Sequence, residues 1–260
     1  MSWKMSEVSE LFQRIEHLKA KLDAQRPLTT EEVRRLREEF MIDFTYNSNA
    51  IEGSTLTLQE TALILKEGIT IAEKPLREHL AAVGHQDAFY YVERLVQDKV
   101  ELSERIIKEI HTLVLMEQAQ NRGVYRRVPV AVLGAQNELP QPYLVPVLME
   151  QLLAKYNMEM ANKHIIERVC LFHLEFELIH PFLDGNGRTG RLILNLELMK
   201  AGYPPINIKF KDRLSYYACF TDYLDRNGDP SMFMALVAEY LEEELEKYLL
   251  ILELANGSLN

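Results

Sequence analysis

The twelve residues His180 to Arg191, HPFLDGNGRTGR, hold the densest set of side chains whose types and spacing suit chemistry. Pro181 lacks an N–H and disfavours a continuing helix, so His180 is expected at a helix's C-terminal edge with its imidazole facing a cleft. Asp184 and three glycines follow. Gly185 and Gly187 admit positive φ and close backbone approach, which predicts a nest of N–H groups opening into a new helix, where anions bind. Arg188 and Arg191 stand three apart on one face of that helix. There they oppose the helix dipole, at roughly 0.3–1 kcal/mol each, unless an anion such as a polyphosphate answers them. Singly, these features read as a helix-end histidine, a turn and solvated arginines. Together in twelve residues they point to a site.

Other patterns in the chain are weaker. GNGRTG, Gly185 to Gly190, matches GxGxxG, but a dinucleotide fingerprint requires a preceding strand and an acidic residue about twenty positions later. The preceding CLFHLEFELIH reads as a buried helix, and no GxxxxGK[ST] occurs. His173, Glu177 and His180 share a helical face at i, i+4 and i+7, yet a di-iron bundle needs a second Glu-x-x-His. His173 and Glu177 are therefore read as helix braces. Near the N-terminus, NSNAIEG places Glu52 at a helix end between an isoleucine and a glycine, for which fraying is the simplest reading.

The elements that must position these residues are almost all helical. The chain has 260 residues with 47% hydrophobic content, enough for a sizeable core. Val8, Leu11, Phe12, Ile15, Leu18 and Leu22 recur at three and four, giving an amphipathic helix that breaks at Arg26-Pro27. Thr29 and Glu32, in capping-box spacing, open a helix along Val33, Leu36, Phe40 and Phe44. Thr57 and Glu60 open a third, closed by Gly68. Pro75 suits the first turn of a fourth, and Ser103 or its neighbour caps a fifth, with Ile106, Ile107, Ile110, Leu113 and Val114 on its buried side. Periodicity fails from Gly123 to Pro146, where VPVAVL and GAQNELPQP predict a two-stranded flap over Arg127 to Leu144. Helices resume at VLMEQLLAKY, HIIERVCLFHLEFELIH, RLILNLELMK and DRLSYYACFTDYL, and a last one starts at Asp229-Pro230. The class is all-α with one hairpin.

A formal charge of −10 and a pI near 5.3 oppose a nucleic-acid surface, which needs cationic excess. Cys170 and Cys219, the two cysteines, are too few and too far apart for a metal pair or disulfide framework, and predict a reducing compartment. With no apolar leader and no long uncharged apolar run, a soluble, cytoplasmic protein without a membrane partner is expected.

His180, Pro181, Phe182, Gly185, Asn186, Gly187, Arg188 and Arg191, with Asp184 at the acidic position, resemble in full the Fic (fido) family signature HPFxxGNGRxxR. Gly123-Val-Tyr-Arg126 resembles the family's approach to its flap. The resemblance implies a Fic-type helical core with a short β-hairpin flap and N-terminal inhibitory helices. It divides the chain into an N-terminal helical region (1–100), a catalytic core (101–240) and a helix end and tail (241–260). It implies transfer of AMP from ATP to a Tyr, Ser or Thr hydroxyl of a target protein, releasing pyrophosphate. In such a protein His180 is the general base, and Asp184 holds Mg²⁺ against the phosphates. Gly185, Asn186, Gly187, Arg188 and Arg191 bind ATP phosphates. Leu133, Gly134, Ala135 and Gln136 dock an extended target segment, while Tyr217 and Arg226 lie on the adenine side.

Ser48-Asn-Ala-Ile-Glu52-Gly53 also resembles the family's inhibitory motif, [S/T]xxxE[G/N]. By that resemblance Glu52 pairs with Arg191 and takes the place of the γ-phosphate, and Ser48 either binds near the nest or caps the helix. The expected protein is thus an autoinhibited adenylyltransferase whose partners are ATP and a target protein, with self-modification and a homodimer both open. Two other readings stay open: a hydrolase that removes AMP using a water held by Glu52, and an ATP-sensing module that transfers nothing.

Overall fold

The computed structural model describes residue 3 and residues 5–25, 29–131 and 138–257. Among these, the elements are α1 (Met5–Asp23), α2 (Thr30–Ile51), α3 (Leu58–Glu67), α4 (Leu76–Gln97), α5 (Glu104–Val114), α6 (Val145–Met158), α7 (Ile165–Ile179), α8 (Asn186–Lys200), α9 (Arg213–Asp225) and α10 (Ser231–Gly257). Single turns of 3₁₀ helix span Pro142–Leu144 and Phe210–Asp212.

Local signals set several boundaries. Thr57 Oγ1 accepts the Glu60 N–H at 3.2 Å while Glu60 Oε2 accepts the Thr57 N–H at 2.7 Å, a complete capping box. Gly68 closes α3 in the left-handed region at φ 65°. Ser103 caps α5 by accepting the Ile106 N–H. Pro75 stands one position before the first turn of α4, as its N-cap.

α8 is the centre of the fold. Its residues from Arg188 to Leu198 are buried without a break, and polar ones among them find partners, as Asn195 does at Ile206 and Glu197 at Tyr156. Leu192, Ile193 and Leu196 join a core shared with α2, α4, α5, α6 and α7, while Leu194 and Leu198 join a second core built by α1, α7, α9 and α10. α1 lies along α10 and buries Val8, Leu11 and Ile15 there. The polar N-terminus of α8 is therefore held by packing on both sides. Cys170 and Cys219 are free and buried.

The expected hairpin is not seen. Among the described residues no strand occurs: Arg127–Ala131 and Glu138–Gln141 run irregularly, and Pro142–Leu144 is 3₁₀ leading into α6. Pro140 and Pro142 bring no N–H to a ladder, and Pro142 and Pro146 suit first helical turns. Leu133, Gly134, Ala135 and Gln136 lie outside the described residues. Also among the described residues, no helix is long and apolar enough to cross a membrane.

Candidate active site

Two helix ends and one loop meet here. α7 stops at His180, which adopts φ 49°, ψ 61° and donates its N–H to the Phe176 carbonyl. The loop then turns through Gly185 at φ 77° into the first turn of α8. Gly187, for which positive φ was also expected, is ordinary helix, and its requirement is space. A Cβ there would stand 2.2 Å from Glu52 Oε1 and 2.8 Å from Arg191 Nη1.

The loop between them is braced from inside. Phe182 is fully buried and stacks on His111 with ring centroids 3.6 Å apart. His111 Nδ1 accepts the Gly123 N–H at 2.9 Å, so Nε2 carries the proton it shares with the Asp184 carbonyl at 2.9 Å. Burial lowers His111 to about 4, which keeps it neutral in that role. Asn186 spends its side chain on the loop: Oδ1 accepts the Phe182 N–H at 2.8 Å, and Nδ2 donates to the Phe182 carbonyl at 2.9 Å. A phosphate there would meet backbone amides, not the Asn186 side chain.

Arg191 is the electrostatic centre. Its guanidinium is 2% exposed and donates from Nε to Ser48 Oγ at 3.0 Å, and from Nη2 to the Ser48 carbonyl at 2.8 Å and Glu52 Oε1 at 2.7 Å. Ser48 thus binds Arg191 from the last turns of α2. Burial alone would lower the Arg191 pKa, but the Glu52 carboxylate and the Tyr216 hydroxyl outweigh it and raise it. Nη1 of Arg191 and Nε of Arg188 are buried with no hydrogen-bond partner among the described residues. The anion that answers Arg191 at the α8 N-terminus is Glu52, while Arg188 faces Asp184.

Glu52 reaches that place because the end of α2 is tied on several sides. Asn47 Oδ1 accepts the Phe210 N–H at 2.9 Å, and Tyr217 donates to the Ile51 carbonyl at 2.8 Å. Beyond the turn at Gly53, Glu78 Oε2 accepts the Thr55 N–H at 2.7 Å and the Ser54 hydroxyl at 3.1 Å. Glu52 is therefore an ordered helix terminus, not a frayed one.

Burial lowers the pKa of His180, with Arg126 adding to the effect and Glu52 and Asp184 opposing it. Its Nδ1 lies 3.9 Å from Glu177 Oε2. Glu177 is largely buried near the Glu52–Arg191 pair, and desolvation followed by the Glu52 charge pushes it up to about 8. That shift favours its neutral form. His173 is fully buried, with Nε2 at 2.8 Å from the Tyr216 hydroxyl.

A family model described as Fic/DOC matches residues 101–198. The solved structure of a single-substitution form of C. elegans Fic-1 is 30% identical, with a TM-score of 0.80 over 93% of this chain and 71% of that one. The chain belongs to the Fic/DOC family. A Fic-domain signaling protein from Bacteroides thetaiotaomicron is similar throughout, with a TM-score of 0.82 at 27% identity over 95% of this chain and 96% of that one. A curated relative, "Protein adenylyltransferase Fic" from Drosophila grimshawi, is 34% identical over 219 residues, 84% of this chain and 44% of the relative. The chain spans about half the length of such relatives.

Of the remaining residues singled out in this Fic/DOC chain, Asp184 stands at the loop's exposed edge. Its Oδ1 accepts the Gly185 N–H at 2.6 Å and faces Arg188 Nη2 at 3.3 Å, and Oδ2 accepts from Gln118 Nε2 at 3.1 Å. Mg²⁺ takes one or two carboxylates and fills its shell with phosphate oxygens and water. A half-exposed carboxylate beside an anion loop fits that habit, and no group of three or more ligating side chains occurs among the described residues. Tyr217 borders the site through Ile51. Arg226 pairs through its guanidinium with Asp222 and Asp229 at the end of α9. His111 and Gln118 escaped the sequence reading, while Ser48, expected near the nest or as a cap, binds Arg191. A histidine on the apolar stripe of α5 was the one visible signal.

Proposed function

We propose that this chain transfers AMP from ATP to a hydroxyl of a target protein, and that Glu52 holds it inhibited. The reaction class is supported by the relatives named protein adenylyltransferase Fic. One observation carries the inhibited state: the Glu52 carboxylate sits on buried Arg191 at 2.7 Å, against Gly187.

In the transfer, the neutral His180 imidazole accepts the target hydroxyl's proton as that oxygen bonds to the α-phosphorus. The bond to the bridging oxygen then breaks, and pyrophosphate leaves with the electron pair. Amides at the start of α8, with Arg188 and Arg191, neutralise charge on the phosphate oxygens. Asp184 would hold Mg²⁺, which supplies further charge neutralisation when bound. With Glu52 on Arg191, the tail of ATP is denied its cation, so nucleotide enters only in an unproductive pose. In this reading residues 1–100 regulate, 101–240 catalyse and 241–260 are a helix end and tail. The free thiols of Cys170 and Cys219 suit a reducing, cytoplasmic setting.

The test is labelled ATP, Mg²⁺ and cell lysate with purified protein. Weak labelling is expected with the unaltered chain, stronger with Glu52→Gly and none with His180→Ala. Equal labelling by the unaltered chain and Glu52→Gly removes the inhibitory role. Absence of transfer by Glu52→Gly removes the transferase.

A further inference from the structure

The C-terminal end of α7 leaves carbonyls without helical donors, and Pro181 brings no N–H to relieve them. One residue collects three in succession. Arg126 donates from Nη2 to the Ile179 carbonyl at 3.4 Å and from Nε to the His180 carbonyl at 2.8 Å, while its backbone N–H reaches the Pro181 carbonyl at 2.9 Å. Nη2 also donates to the Pro140 carbonyl at 2.6 Å, which ties the segment before α6 to the end of α7. The guanidinium is buried, and its charge lies against the negative end of the α7 dipole.

His180 needs such a clamp. At φ 49° it occupies the left-handed region, where a residue with a Cβ is strained. That backbone also turns Cβ, and the imidazole with it, away from the course a continuing helix would give. We infer that Arg126 is a positioning residue for His180, holding the three carbonyls around it so that a strained backbone presents the imidazole in one direction. Lysine cannot substitute, because a single ammonium lacks the planar fork that spans separate carbonyls. The cation also contributes, after burial, to the lowered pKa of His180.

The imidazole's role as base rests on the transferase reading above, whereas the clamp itself does not, so the test reads both. In a Glu52→Gly background, Arg126→Lys is expected to lower kcat roughly ten- to hundred-fold with the KM for ATP unchanged, as for a misplaced reacting group. NMR of histidine-labelled protein, with His180 assigned by its loss in His180→Ala, should show a displaced His180 resonance in Arg126→Lys. In Arg126→Gln its titration midpoint should move up. If Arg126→Lys folds poorly, thermal melts still decide. Its loss of Tm should shrink in a His180→Gly background, because glycine holds left-handed φ unaided. A folded Arg126→Lys protein with unaltered kcat and His180 resonance, or an equal Tm loss in both backgrounds, overturns the inference. A displaced resonance in protein that transfers nothing keeps the clamp and removes the transferase reading.

Discussion

Replacing Glu52 by glutamine separates charge from bulk at the inhibitory contact. Two unit charges about 4 Å apart attract by about 4 kcal/mol at an effective dielectric near 20. Arg191 is 2% exposed but the Glu52 side chain is 36% exposed, so solvent screens the pair toward the ~1 kcal/mol typical of surface ion pairs. An intermediate value of about 2 kcal/mol corresponds to roughly thirty-fold in the population of molecules whose Arg191 is free for nucleotide. Glutamine keeps the side chain's volume and can still accept from Arg191, so the gain measures the lost charge. The assay is initial-rate AMP transfer with saturating Mg²⁺ and ATP, compared across the unaltered chain, Glu52→Gln and Glu52→Gly. Expected is a rise of about thirty-fold for glutamine, with a further rise for glycine as the space beside Gly187 opens. If glutamine stays as inactive as glutamate while glycine activates, occlusion alone does the work and the electrostatic reasoning is refuted.

Three further outcomes follow from the same contacts. Gly187→Ala places a methyl 2.2 Å from Glu52 Oε1, so its cost in urea unfolding should shrink when combined with Glu52→Gly, and strict additivity of the two changes would count against the contact. Ser48→Ala removes the buried acceptor of Arg191 Nε and should destabilise the chain by about 1–3 kcal/mol in urea melts, whereas an unchanged midpoint would show that Ser48 is dispensable there. Glu177 is pushed above its ordinary 4.5 to about 8, so the stability it contributes is fully present below about pH 4 and is lost as pH rises toward 8. Glu177→Gln should flatten that decline between pH 5 and 8, and parallel stability curves for the two proteins would exclude a buried neutral carboxyl.

Much of the fold was readable because helix signals are local. The Thr57–Glu60 box, Gly68 and Ser103 act within four residues, and the apolar periodicity of α1 and α5 repeats over a few turns. Among the described residues from Gly123 to Pro146 the strands suggested by β-branched residues are not seen, and the prolines that deny a ladder its donors also suit the first turn of a helix. Within the site, the positive φ of Gly185 was visible but that of Gly187 was not there to find. Its need for a missing Cβ comes from Glu52, a residue from another helix.

By itself, the sequence determined which side chains could do chemistry: a histidine released from a helix by Pro181, an anion-binding turn and two arginines, all within twelve residues. Contiguous residues share a neighbourhood whatever the rest of the chain does. Only the tertiary structure decided what faces them. It brought Glu52 to Arg191 across 139 positions, a pairing that the family resemblance alone had implied, added Ser48 across 143, set Glu177 near that pair, and closed Arg126 over three carbonyls around His180. Those relations depend on where α2, α7 and α8 cross, and the crossing is a property of the packed cores rather than of any local run of residues.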